Sequence, residues 1–150
     1  MNPSPVGPEH REPLAAFRCT TPESPPYVFV VEREIRTTLI EDLESGALEA
    51  LGFWEGDGLG ALIAHSSAGP LWRVAYLATD PRFRHRKRAE RLKREVLSRA
   101  AAAGAFALTS KVHPDNRPML DLNRKLGGKA LRNDANPSDP YLICTVPTGC

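Results

Sequence analysis

The spacing of the apolar residues changes twice along this chain, and each change limits what it can fold into. Val28, Val31, Ile35 and Leu39 recur at helical intervals between Pro26 and Ser45. Three apolar runs follow, Ala47–Trp54, Leu59–Ser66 and Leu71–Thr79, separated by Glu55-Gly56-Asp57-Gly58 and Ser67-Ala68-Gly69-Pro70. Short β-compatible runs broken by Asp-Gly and Gly-Pro turns read as an antiparallel meander. Then the helical interval returns. Ala89, Leu92, Val96, Leu97, Ala100 and Ala103 share one face, and Gly104 supplies a stop before a strand over Ala105–Val112. A strand–helix–strand unit over 71–112 calls for a right-handed crossover between parallel strands. The fold class expected is α/β of the α+β type: a mixed, mostly antiparallel sheet flanked by helices.

The remaining elements are shorter. Residues 1–13 carry four prolines and little apolar content, which predicts a flexible arm ahead of a single domain over 14–150. A strand is expected over Leu14–Arg18. Ser24 is placed to cap a helix over 26–45, with Pro25 and Pro26 in its first turn and a break open near Thr37-Thr38. Asn116 is placed to cap a later helix with Pro118 in its first turn, and Gly127 ends it. Strands near Lys129–Arg132 and Tyr141–Val146 flank the loop from Asn133 to Pro140; the last is an edge that could pair with a second copy.

Charge is concentrated in one place. Between Arg82 and Arg94 stand eight Lys/Arg residues and one acid, Glu90, so this segment is +7 in a chain of net +2. The remainder, with 12 basic and 17 acidic residues, is −5. A positive field this local asks for an anionic partner. A strand ending at Thr79 runs through a short basic loop into a helix starting near Arg88, and a helix start offers unpaired N–H groups and partial positive charge to an anion.

That strand–loop–helix resembles the acetyl-CoA pyrophosphate loop of the GNAT superfamily of N-acetyltransferases. The family pattern is Arg or Gln, two residues, Gly, one residue, then Gly or Ala; here it reads Arg84-His85-Arg86-Lys87-Arg88-Ala89, with Leu92 on the helix beyond. Asp80-Pro81 and Phe83 match the usual lead-in. Asn116, Met119, Asn123, Lys125, Leu126 and Gly127 fall in the register of the family's next motif. The resemblance covers about residues 71–128 and departs from the pattern in three places. Lys87 stands at the first glycine. Asn123 falls where many members have a proton-donating tyrosine. The usual Leu-Gly-Phe is Leu126-Gly127-Gly128.

The resemblance implies an N-acyltransferase acting on an amine, with acetyl-CoA or another acyl-CoA as co-substrate and no metal. The backbone of Leu77, Ala78 and Thr79 would hold the pantetheine and donate to the thioester oxygen. The N–H groups around Arg84, His85, Arg86, Lys87, Arg88 and Ala89 would hold the pyrophosphate, with Asn116 and Asn123 as further cofactor contacts. Acetyl transfer needs a neutral amine, a donor to the developing oxyanion and a proton for the thiolate. Tyr76, Tyr141 and Glu49 are the catalytic candidates, although packing suits both tyrosines and a solvent-facing place suits Glu49. His113 is a further candidate because histidine is the side chain suited to proton transfer near neutrality, but a His-Pro before a capped helix commonly lies at the surface. Trp54 and Trp72 suit packing better than an acceptor pocket.

Other readings stay open. A non-catalytic acyl-CoA-binding or regulatory protein would tolerate Lys87 and Asn123. A tRNA-directed, toxin-like acetyltransferase would use the basic strip for its acceptor. Nucleic-acid binding by the strip alone is not favoured, because no helix-turn-helix, zinc or RNA-binding aromatic motif accompanies it. The acceptor, a small molecule or a macromolecule, is not named by any motif. Cys19, Cys144 and Cys150 have no metal-ligand spacing, so free thiols are expected. With no apolar leader and no membrane-length run, the expected compartment is the cytoplasm.

Overall fold

The computed structural model describes residues 2–84 and 86–149. His85, a predicted pyrophosphate contact, and the thiol of Cys150 lie outside the described residues. The chain packs as two compact units. One comprises the described residues through Ser66 together with Tyr76–Lys93; the other comprises Ser67–Ala75 and the described residues from Arg94 on.

The first unit opens with strand β1 (Ser4–Val6), a 3-10 turn over Pro8–His10 and helix α1 (Arg11–Ala15). The proline-rich start is therefore not a loose arm. Ser4, Pro5 and Val6 pair antiparallel with Gly52, Leu51 and Ala50 of β2 (Glu49–Glu55), and Val6 is buried. Two features permit this. Proline is tolerated at a sheet edge, and Gly52 leaves room: a Cβ there would lie 3.0 Å from the Val6 side chain. The segment expected as a strand over Leu14–Arg18 begins instead as the end of α1, with Leu14 and Phe17 in the core.

Helices α2 (Pro26–Arg36) and α3 (Thr38–Ser45) replace a single helix over 26–45. The break falls at Thr37, whose hydroxyl donates to the Arg33 carbonyl at 2.7 Å while its ψ of −64° is paired with a φ of −122°. A β-branched residue bonding back to its own helix is a common origin of such a bend. Ser24 does not cap α2; its Oγ accepts from the Thr21 N–H at 2.8 Å, and Pro25 holds the cap position. Gly46, with φ of 80°, ends α3 in the left-handed conformation that a C-terminal cap requires.

Strand β3 (Gly58–His65) pairs antiparallel with β2 through a two-residue turn at Gly56-Asp57, and a bulge interrupts the ladder between Phe53 and Trp54. Leu62 and Ile63 of β3 are fully buried, as are Ile35 and Leu39 of the helices. Strand β4 (Leu71–Thr79) gives Tyr76–Thr79 to this unit and Leu71–Ala75 to the other. Helix α4 (Arg88–Ala102) is likewise shared. Of its predicted stripe, Leu92, Val96 and Ala100 are buried, Ala89 and Leu97 are half-buried, and Ala103 lies exposed just past the helix end.

In the second unit, β4 pairs parallel with β5 (Ala107–Val112) in the register Leu71↔Ala107 to Arg73↔Thr109. Helix α5 (Arg117–Lys125) follows, then β6 (Lys129–Arg132) and β7 (Leu142–Pro147). Strand β7 pairs antiparallel with both β5 and β6, so the final strand is not the free edge predicted. Through the shared strand the hydrogen-bonded order is β1-β2-β3-β4 on one side and β4-β5-β7-β6 on the other. This is the mixed, mostly antiparallel sheet with flanking helices that the apolar spacing specifies.

Candidate functional site

The strand–loop–helix segment lies in the first unit, from Tyr76 to Lys93. Asp80 closes β4. Its N–H donates to the Gly60 carbonyl at 2.8 Å, and its carboxylate accepts from Arg82 N, Nε and Nη2 at 2.9, 3.2 and 2.8 Å. Burial by itself would raise the pKa of Asp80, but the hydrogen bonds from Arg82 outweigh it and hold the carboxyl below the usual carboxylate range. The result is a capped 3-10 turn over Pro81–Phe83 that aims the chain into the loop.

Beyond that turn, Arg84 is extended and its Nη2 donates to the Cys19 carbonyl at 3.4 Å. The Cys19 segment is itself anchored by Glu32 of α2, which accepts from the N–H of Cys19 at 2.8 Å and that of Thr20 at 3.3 Å. The Cys19 thiol is buried, and burial, followed by the Glu32 carboxylate, pushes its pKa up to about 12.

Lys87 has φ of 55°, the only positive value outside glycine among the described residues. Left-handed torsions cost an L-residue roughly 1–2 kcal/mol. This lysine stands at the first glycine of the pattern, so the backbone keeps a conformation suited to glycine although the residue has changed. Its carbonyl accepts from the Arg91 N–H at 3.0 Å and so starts α4. The N–H groups of the helix's first turn are the kind of anion-binding donor that a helix start provides.

The next residue was not singled out by sequence reasoning for its side chain. Arg88 is 7% exposed and donates from Nη2 to Glu55 Oε1, which also lies 3.7 Å from Arg86 Nη1. The Arg88 guanidinium sits 5.4 Å from the ring centre of Phe53 and 5.2 Å from that of Phe83. Its Nη1 is buried with no hydrogen-bond partner among the described residues. One signal was available. Arg88 stands one turn ahead of Leu92 on the buried stripe of α4, and an arginine on a buried stripe calls for an acidic neighbour.

The basic strip is thus not uniform. Arg88 and Lys93 are buried, while Arg82, Arg84, Arg86, Lys87, Arg91 and Arg94 are exposed. Arg82 is held by Asp80, and the guanidinium of Arg91 lies 5.0 Å from the ring centre of Phe53.

Tyr76, Leu77, Ala78 and Thr79 are half-buried on β4 in the same unit, and Glu49 is exposed at the start of β2. Trp54 packs against His10 with the rings tilted by 59° and their centres 4.8 Å apart. The other predicted residues belong to the second unit. Asn116 caps α5, accepting from the Met119 N–H at 3.4 Å. Asn123 is buried and donates to the Met119 carbonyl at 3.0 Å, bonding its own helix. Tyr141 precedes β7 rather than lying within it; its N–H donates to Asp139, and its ring meets that of His113 edge-on at 5.5 Å. His113 Nδ1 accepts from the Asp115 N–H at 3.1 Å. Trp72 is buried. Gly128 fits only as glycine, since a Cβ would lie 2.7 Å from the Val146 side chain and 2.9 Å from the Asn123 carbonyl.

Among the described residues no group of three or more His, Cys, Asp or Glu could hold a metal ion, and no helix is long and apolar enough to cross a membrane. A family model described as the acetyltransferase (GNAT) family matches residues 7–127. No curated protein matches the chain. Among solved structures, the PaiA N-acetyltransferase from Thermoplasma acidophilum in complex with coenzyme A is 18% identical, with TM-score 0.75 over 98% of this chain and 99% of that one. An aminoglycoside 6′-acetyltransferase type Ii is 16% identical, with TM-score 0.70 over 99% and 97%. A bacterial toxin is 12% identical, with TM-score 0.74 over 97% and 89%. At these identities the likeness shows a shared fold.

Proposed function

The chain belongs to the acetyltransferase (GNAT) family, and from that premise we propose that it binds acetyl-CoA or a related acyl-CoA and transfers the acyl group to an amine. The observation that carries this reading is the left-handed backbone at Lys87. A loop that had lost its purpose could relax once glycine was replaced; this one keeps torsions that its residue disfavours.

In this reading the β4 backbone at Leu77, Ala78 and Thr79 holds the pantetheine arm, and the backbone N–H groups at Lys87, Arg88 and Ala89 meet the pyrophosphate. The exposed side chains of Arg84, Arg86 and Lys87 add positive charge beside it. Arg88 contributes only its backbone, because its guanidinium is buried against Glu55. The acyl-CoA supplies an activated acyl group; the protein's part is to orient it, exclude water and accept a proton from the amine. Tyr76 and Glu49 remain the proton-transfer candidates of the first unit.

A second reading, a non-catalytic acyl-CoA-binding protein, draws support from Asn123. A buried amide bonded to its own helix is no proton donor for a departing thiolate. Calorimetric titration of acetyl-CoA into the wild type and a Lys87→Gly variant, at two salt concentrations, tests the shared premise. Micromolar binding is expected, and no binding by either protein overturns both readings. Release of CoA thiol with a panel of primary amines, including an aminoglycoside, then separates enzyme from binder.

A further inference from the structure

We infer that Glu55 is a positioning residue for the acyl-CoA loop: by gathering the arginines on either side of Lys87, it holds that lysine in the left-handed turn that glycine would adopt unaided. The inference deepens the acyl-CoA reading and rests on it for its functional consequence, though not for its structural one.

Glu55 is the last residue of β2 and pairs with Gly58 across the hairpin, so its backbone is fixed by the ladder. Its Oε1 takes the Nη2 of Arg88 and lies 3.7 Å from the Nη1 of Arg86. Both guanidinium groups also pack on the same ring, Phe83, with Arg88 at 5.2 Å and Arg86 at 5.3 Å from its centre. In a continuous helix, residues two apart diverge by about 200° around the axis. Side chains at 86 and 88 can therefore share one carboxylate only if the backbone between them leaves the helical path. It does so at Lys87, with φ of 55°.

The cost of this arrangement is visible at Arg88. Its guanidinium is buried with Nη1 unpartnered among the described residues, and an apolar residue would fill the gap between Phe53 and Phe83 without that penalty. Gly60 makes the arrangement possible, since any side chain there would meet Arg88 Nη1 at 2.5 Å, Glu55 Cγ at 2.8 Å and Phe83 at 3.1 Å. Strand end, glycine and two rings thus surround the guanidinium of Arg88, the residue directly after Lys87.

The test compares the effect of Glu55→Gln in two backgrounds, wild type and Lys87→Gly, by calorimetry with CoA and by denaturant unfolding without it. If the clamp sets the turn, Glu55→Gln weakens CoA binding about tenfold in the wild-type background, the factor that a left-handed penalty of this size implies. In the Lys87→Gly background the loss falls to less than about threefold, because glycine needs no clamp. Equal losses in both backgrounds overturn the inference. Should Glu55→Gln fail to fold, Arg88→Met replaces it in the same comparison. Should wild type bind no CoA, the acyl-CoA reading fails while the clamp is still decided by unfolding: coupling between the two substitutions supports it, and additivity sinks it.

Discussion

Arg88 and Gly60 occupy one space: an ideal Cβ on Gly60 would lie 2.5 Å from the buried Nη1 of Arg88. The two residues come from β3 and α4, and each is intelligible only beside the other. Gly60→Ala is expected to push the guanidinium off Glu55 and to destabilise the protein by about 1–3 kcal/mol, the usual range for overpacking. Combining it with Arg88→Met, which vacates the clash, should recover part of that loss. Urea unfolding of the four proteins checks both statements.

Lys87→Gly alone should raise stability by about 0.5–1 kcal/mol, since relief of left-handed strain exceeds the added flexibility of the unfolded chain. Lys87→Val should lower it, because a β-branched side chain tolerates that conformation least. Denaturant midpoints with unchanged slopes would confirm that only stability moved.

Asp80 makes folding sensitive to acid. Its carboxyl is held below the ordinary value of 3.8, burial opposing and the hydrogen bonds from Arg82 prevailing. The folded state thus favours the ionised form, and the stabilisation is complete above the unfolded value and lost as pH falls through the lower folded value. Wild type should lose more stability than Asp80→Asn between about pH 4 and pH 2. Parallel curves for the two proteins would contradict this.

Cys19 sets the opposite limit. An ordinary thiol near 9.0 is raised to about 12, first by burial and then by Glu32. The native thiol stays protonated where an unfolded one ionises, so this contribution is intact below pH 9 and lost as pH rises towards 12. At pH 8 native Cys19 should resist alkylation while the unfolded chain reacts readily. Mass spectrometry of the alkylated peptide, with and without denaturant, gives the answer.

Gly128→Ala should cost about 1–3 kcal/mol despite lying outside any helix or strand. The added methyl meets Val146 of β7 and the carbonyls of Asn123 and Thr145. A phenylalanine, the residue in the family pattern, should be tolerated still less. Thermal unfolding of the two variants provides the comparison.

Much of this protein was determined by the sequence itself. The helical and alternating periods, the Asp-Gly and Gly-Pro turns, and the caps at Asn116, Gly46 and Gly127 are local signals, read within a turn or two of chain. They yielded the meander, the α4 stripe, the parallel β4–β5 pair and the turn that leads from β4 into α4. Tertiary structure decided the rest, because those features depend on residues far apart in the chain. Pro5 reads as a breaker until β2 offers it an edge to pair with. The last strand reads as an edge until β6 covers it. Lys87 reads as damage to a glycine loop until Glu55, at the end of β2, is found beside the arginines on either side of it. Local propensity chooses the elements, but a left-handed lysine and a buried arginine persist only where the surrounding packing compensates their cost.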